Sequence, residues 1–243
     1  TEARWSASLD RARSSLDGLG AKVRPEAMRQ AEQHRYEQYL NAELAIERKN
    51  FPEVKAFHVF AADGSLLYTS SVDDPWRLNL IEASCFRKLR DDPRQEIAYS
   101  GVMKHGADDV ESFLVLLPLR TPSGRFLGAL AAQIDLAYFE RLLGSLDVGV
   151  RGFLAIWRSD DFSLVLRRPP LPKELARALP VDHPVRSAIA SGMRDGVIRA
   201  SAYVDGLPRI LGVRVLINAP FYVVAGLAED EVLAPWRTKR LVV

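Results

Sequence analysis

Residues able to do chemistry are present in this 243-residue chain, but their spacing joins them into no familiar reactive constellation. The four histidines, His34, His58, His105 and His183, fall on a helical segment, a strand, a turn and a loop. No two of them stand at metal-ligand spacing. The carboxylate pairs Asp73-Asp74, Asp91-Asp92, Asp108-Asp109 and Asp160-Asp161 all fall where turns are expected, and solvated turn chemistry is the ordinary use of such a pair. There is no G-x-G-x-x-G or G-x-x-x-x-G-K-[ST] loop to cradle a phosphate. No G-x-S-x-G elbow presents a nucleophilic serine. The single cysteine, Cys85, excludes an internal disulfide and a cysteine-rich metal site, without excluding an oxidising compartment. The expectation is a chain that is not an enzyme and carries neither cofactor nor metal.

Composition narrows the class further. Hydrophobic residues make up 48% of the chain and charged residues 26%, a globular balance with core enough for one large domain or two small ones. Lys+Arg number 33 against 31 Asp+Glu, so no strong field is directed at nucleic acid, and none is expected as a partner. No segment approaches the ~18 apolar residues of a membrane span. The ends nevertheless look cut. Thr1 is not a natural start, and Leu241-Val242-Val243 begins an apolar run behind Pro235, Trp236, Arg237, Lys239 and Arg240. Aromatic and basic residues cluster in this way at membrane interfaces. A segment tethered to a membrane at both ends is expected.

The elements that must position any site follow from hydrophobic period. Trp5, Leu9, Ala12, Leu16, Leu19 and Val23 step by 4, 3, 4, 3 and 4, a heptad seam that suits a helix and a possible homodimer interface. A second helical segment restarts at Pro25 and runs to about Lys49, with Met28, Tyr36, Leu40, Leu44 and either Tyr39 or Ile46 turned inward. From Val54 the period becomes 2. Strands over 57–60 and 66–70 flank Asp63-Gly64, a strong hairpin signal. An irregular stretch over 71–79 leads to a short helix over 81–90 and to strands over 96–100, 112–119 and 126–134. Asp135 then caps a helix over 136–143.

The second half repeats this order. Strands are expected over 152–157 and 163–166, helices near 173–179 and 185–191, then strands over 197–204, 208–215 and 221–227 with Asp205-Gly206 as a second hairpin signal. The phrase Phe126-Leu127-Gly128-Ala129-Leu130-Ala131-Ala132-Gln133-Ile134-Asp135 matches Phe221-Tyr222-Val223-Val224-Ala225-Gly226-Leu227-Ala228, and a helix follows each. The architecture expected is α+β. A long N-terminal helix (1–50) is followed by two tandem modules (51–145 and 146–228), each a central antiparallel sheet with flanking helices. An acidic-started exit helix (229–243) closes the chain.

In such a module one sheet face packs on the long helix, and the other can be roofed by the irregular segment. The roof would bring Trp76, Arg77 and Phe86 over a floor of Tyr99, Ser100, Phe113, Val115, Ala131 and Gln133. An aromatic wall with few polar groups is the usual make-up of a small-molecule site. The same residues would equally make an ordinary second core.

The chain resembles the double Cache family, extracytoplasmic tandem PAS-like sensor domains of bacterial membrane receptors. The carrying stretches run from Phe57 through Asp63-Gly64 to Ser70, from Gly124-Arg125-Phe126-Leu127-Gly128 through Asp135 to Phe139, and from Ala225-Gly226-Leu227 through Glu229-Asp230-Glu231 to Trp236-Arg237. The last phrase looks most like the sensors that precede diguanylate cyclase output domains. The resemblance implies a periplasmic domain of an inner-membrane receptor that binds a small molecule in the membrane-distal module. In many relatives the helix after the roof opens with Arg-Asp-Tyr-Phe, which holds a carboxylate-bearing ligand. Here Ala83-Ser84-Cys85-Phe86 stands there, and Gln133 replaces the aspartate that holds a ligand ammonium in amino-acid-binding relatives. A neutral or aromatic ligand is therefore expected over an amino acid. The alternative is a ligand-free dimerisation or interaction module that sets the output geometry of a histidine kinase or chemoreceptor.

Overall fold

The computed structural model describes residues 30–71, 79–105, 110–171, 178–201 and 204–240. The expected heptad seam, Met28, Trp76, Arg77 and most of the expected helix near 173–179 lie outside the described residues. The chain divides into two compact units, one ending at Phe139 and the other beginning at Glu140.

In the first unit, α1 (Gln30–Arg48) precedes β1 (Val54–Ala61) and β2 (Leu66–Thr69). Then come α2 (Ser84–Asp91), β3 (Ala98–Tyr99), β4 (Met103–His105), β5 (Val110–Arg120) and β6 (Phe126–Asp135). The strands form an antiparallel sheet in the order β2-β1-β6-β5-β3, with β4 also pairing on β5. The β1–β2 hairpin turns where Asp-Gly predicts. Gly64 takes φ +77°, and Asp63 Oδ1 accepts the Ser65 N–H at 3.0 Å. Strand β4 has no counterpart among the sequence expectations, and β3 is shorter than the 96–100 strand expected.

Both faces of this sheet are buried. One meets α1, which packs on β1 and β2 through Leu40 and Leu44 and sets Tyr36 edge-on to Tyr68. Tyr39 and Ile46, one of which was expected to turn inward, are 55% and 59% exposed, so Tyr36, Leu40 and Leu44 mark the packed stripe. The other face meets α2, whose Cys85, Phe86 and Leu89 pack with Phe60, Leu114, Leu116, Ala129 and Ala131 in one apolar cluster. At about 25 cal/mol per Å² of apolar surface, a fully buried Phe86 contributes on the order of 2–3 kcal/mol before entropy is counted.

The helix α3 (Leu136–Gly144) follows β6 directly, and Asp135 Oδ1 accepts the Ala137 N–H at 2.9 Å, the cap its position predicts. The second unit then builds β7 (Phe153–Arg158), β8 (Leu164–Arg168), α4 (Pro184–Ala190), β9 (Asp195–Ser201), β10 (Pro208–Val215), β11 (Phe221–Ala228) and α5 (Glu229–Arg240). Its antiparallel sheet runs β8-β7-β11-β10-β9. Strand for strand this is the order of the first sheet, and in both the central strand runs straight into a helix. The internal repeat read from sequence is a repeat of topology.

Candidate functional site

Strand pairing places four polar side chains on the α2 side of the first sheet. His58 pairs with Ala131 and with Thr69, and Gln133 pairs with Leu114. Ser112 lies two residues from Leu114 on β5, so all four share the face that carries Phe60, Ala129 and Ala131. They are buried: Thr69 is 8% exposed, Gln133 2%, His58 1% and Ser112 0%.

Buried polar groups must find partners, and these find one another. Thr69 Oγ1 accepts the Ser71 N–H at 3.0 Å and is hydrogen-bonded to His58 Nδ1, 3.0 Å away. The other ring nitrogen of His58, Nε2, donates to Gln133 Oε1 at 3.2 Å. Gln133 Nε2 in turn donates to Ser112 Oγ at 3.1 Å. A single line of hydrogen bonds thus crosses β2, β1, β6 and β5. At its β2 end the Thr69 N–H donates to Asn41 Oδ1 of α1 at 2.9 Å, so the line touches the helix as well. Among the described residues of this unit no lysine or arginine is buried.

The expected site residues divide under this geometry. Gln133 and Ala131 lie on the α2 face, and Phe86 reaches that face from α2, its ring edge-on to Phe126 at 5.4 Å. Phe113 and Val115 do not join them. They pair with Ile134 and Ala132, the opposite parity to Gln133 and Ala131, and so face the α1 side. Tyr99 pairs with Val115 and is only partly buried. Ser100 is committed to the sheet, its Oγ accepting the Leu114 N–H at 2.8 Å and donating to the Gly101 carbonyl. Trp76 and Arg77 lie outside the described residues. Arg87 turns outward to Glu82 at 3.6 Å and is half exposed, so it brings no cation to this face.

His58, Thr69 and Ser112 were not among the expected site residues. The usable signal was parity: His58 stands two before Phe60, as Gln133 stands two after Ala131. Of the aspartate pairs, Asp92 Oδ1 accepts the Arg94 N–H and Asp161 Oδ1 accepts the Ser163 N–H, ordinary turn bonds. Among the described residues, no group of three His, Cys, Asp or Glu side chains could hold a metal.

No protein-family model matches the chain, and no curated protein matches it. Solved structures do. The chain is similar to the extracellular domain of rpHK1S-Z16, a protein assigned as a histidine kinase, with TM-score 0.78 and 24% identity over 96% of this chain and 92% of that one. It is similar to the ligand-binding domain of the Pseudomonas aeruginosa amino acid chemoreceptor PctB in complex with L-Arg, with TM-score 0.70 and 15% identity over 100% and 89% of the two chains. It is also similar to the periplasmic sensory domain of the Campylobacter jejuni chemoreceptor Tlp1, with TM-score 0.68 and 10% identity over 96% and 94%. The α+β fold of two tandem PAS-like modules is therefore one that this chain shares with extracytoplasmic sensory domains.

Proposed function

We propose that the chain is the extracytoplasmic sensory domain of a bacterial transmembrane signalling receptor, periplasmic and held at the inner membrane, that binds a small molecule on the α2 face of the first unit. The observation that carries this reading is the polar line Thr69–His58–Gln133–Ser112 set into an otherwise apolar face. A few placed polar groups among apolar and aromatic walls give orientation and specificity to a ligand site. The absence of a buried lysine or arginine among the described residues of the first unit, with Ala83-Ser84-Cys85 opening α2, favours a neutral or aromatic ligand over a carboxylate. Signal would pass from this face to α1, since Thr69 holds His58 with its side chain and Asn41 with its backbone. The ligand acts only through differential affinity for two arrangements of that contact. As output we propose a diguanylate cyclase, on the sequence phrase from Ala225 to Arg237. The similar structures named above belong to a protein assigned as a histidine kinase and to chemoreceptors.

A thermal-shift screen of this chain against aromatics, purines, polyamines, organic acids and amino acids tests the reading. A ligand at ~100 times its dissociation constant adds roughly 2.7 kcal/mol of stability. A hit abolished by Gln133→Leu or Trp76→Ala in a folded variant supports the sensor. Silence across the panel favours a ligand-free dimerisation module, which sedimentation of wild type and of Leu9→Glu/Leu16→Glu would then test.

A further inference from the structure

Most of the sheet edges in this chain are cut short. β2 has four residues and a register shift against β1, and β3 has two. β8 has five, again with a shift against its neighbour, and runs into Pro169-Pro170. Short strands, bulges and prolines are the ordinary means of keeping an edge from pairing with another chain. The remaining edge, β9, has none of them. It pairs with β10 from Asp195 to Ser201 without a break in register, and it contains neither proline nor lysine. Among the described residues no strand lies on its far side.

The ladder decides which groups this edge turns outward. The Val215 N–H donates to the Arg194 carbonyl at 2.7 Å, so these two residues are a hydrogen-bonded pair. By alternation Gly196, Ile198 and Ala200 direct their backbone groups at β10, whereas Asp195, Val197 and Arg199 direct theirs away from it. The side chains of Asp195, Val197 and Arg199 also share one face, opposite to the one on which Ile198 and Ala200 pack. Val197 is 70% exposed there, and the Arg199 side chain 69%.

One occupant matches this edge, and it is the edge itself. Laid antiparallel about a twofold axis at Val197, two copies of β9 oppose outward-directed backbone groups throughout. Val197 meets its own copy, and Asp195 meets Arg199 of the second copy on both sides of the axis. Moving the axis one residue either way sets Asp195 against Ser201 or Val197 and leaves the charges unmatched. Opposite charges directly across a strand pair attract, and like charges repel. Arg199 Nη2 also lies 2.9 Å from Glu229 Oε1, but attraction between two exposed charges does not require a free fork.

We propose that β9 is a homodimer interface, through which two copies of this chain join their second sheets into one continuous sheet by antiparallel pairing centred on Val197. It rests on the second unit alone, and depends neither on the ligand face of the first unit nor on the heptad seam.

Sedimentation equilibrium from micromolar to millimolar chain tests it. Strand pairing buries less surface than a standard interface, so the dimer should appear toward the upper end of that range. Leu9→Glu/Leu16→Glu should dimerise like wild type. Val197→Pro should stay folded, because that N–H points away from β10, and should be monomeric throughout. Asp195→Arg and Arg199→Asp each set like charges across the pair and should weaken dimerisation about tenfold. Mixed in equal amounts, these two variants restore both charge pairs and should associate about as tightly as wild type, a readout that stands even if Val197→Pro fails to fold. The proposal is overturned by a wild type that stays monomeric, by a dimer lost in Leu9→Glu/Leu16→Glu, by a folded Val197→Pro that dimerises like wild type, or by a mixture no tighter than its components.

Discussion

His58 Nε2 donates to Gln133 Oε1 at 3.2 Å along a diagonal of the sheet, because the residue opposite His58 on β6 is Ala131 and the residue opposite Gln133 on β1 is Ala56. Long side chains reach such diagonal neighbours, and the small Ala131 and Ala56 leave the room to do so. The pair ties two adjacent strands together at the point where the α2 face turns from apolar to polar.

Replacing Gln133 by Leu removes the acceptor for His58 Nε2–H and the donor to Ser112 in a place where water is excluded. Leaving a buried polar group without its partner costs about 1–3 kcal/mol, so the variant should unfold at lower urea with an unchanged m-value. Double substitution with His58→Leu should cost less than the sum of the two singles, read as a coupling energy in a double-mutant cycle.

Burial lowers the pKa of His183 below its ordinary 6.5, against a smaller opposing effect of Asp182. The sign follows. The unfolded chain takes up a proton at a higher pH than the folded one, so the stability held by neutral His183 is complete above about pH 6.5 and is lost as pH falls through the folded value. His183→Asn keeps an N-cap for α4 but cannot titrate, and its melting temperature should fall less than that of wild type between pH 7 and 5. Parallel pH curves would show that His183 does not carry this dependence.

Arg209, 3% exposed, is held by Asp205 through two hydrogen bonds, while Nε and Nη2 also donate to the Arg151 carbonyl. The Arg209 guanidinium holds the Asp205 carboxyl below its usual range, so its contribution is present at neutral pH and lost in acid, as pH falls through the lowered value. Asp205→Asn should cost about 2–3 kcal/mol, since it leaves a buried cation without its carboxylate. Double substitution with Arg209→Met should recover part of that loss in chemical denaturation.

Gly128 takes φ +145°, and a Cβ there would meet the Phe60 carbonyl oxygen at 1.9 Å across the β1–β6 pair. Gly124 also has positive φ, +85°, but nothing lies within 4 Å of an added Cβ. Gly124→Ala should therefore show backbone strain alone, about 1 kcal/mol, and Gly128→Ala about 3 kcal/mol or more. Similar melting temperatures for the two variants would mean that the central strands shift to relieve the contact.

Local chemistry made much of this molecule readable. Asp63-Gly64 and Asp205-Gly206 announce their turns because a side-chain carboxylate and a positive φ are properties of those residues alone. Asp135 announces a cap for the same reason. The match between the phrases ending at Asp135 and Ala228 announced a repeat, which the structure returns as one strand order used twice.

What the sequence left open is which face each strand residue meets. Period 2 says that His58 and Phe60 share a face and that Phe113 and Val115 share one. In a sheet buried on both sides, with apolar residues at either parity, it does not say which face lies under α1 and which under α2. The long-range pairing of β1, β5 and β6 decides that, sending Phe113 and Val115 to one side and Gln133 and Ala131 to the other. His58 looked like a lone histidine on a strand, because Thr69, Gln133 and Ser112 come from 11, 75 and 54 residues away in the chain and only the folded sheet sets them in line.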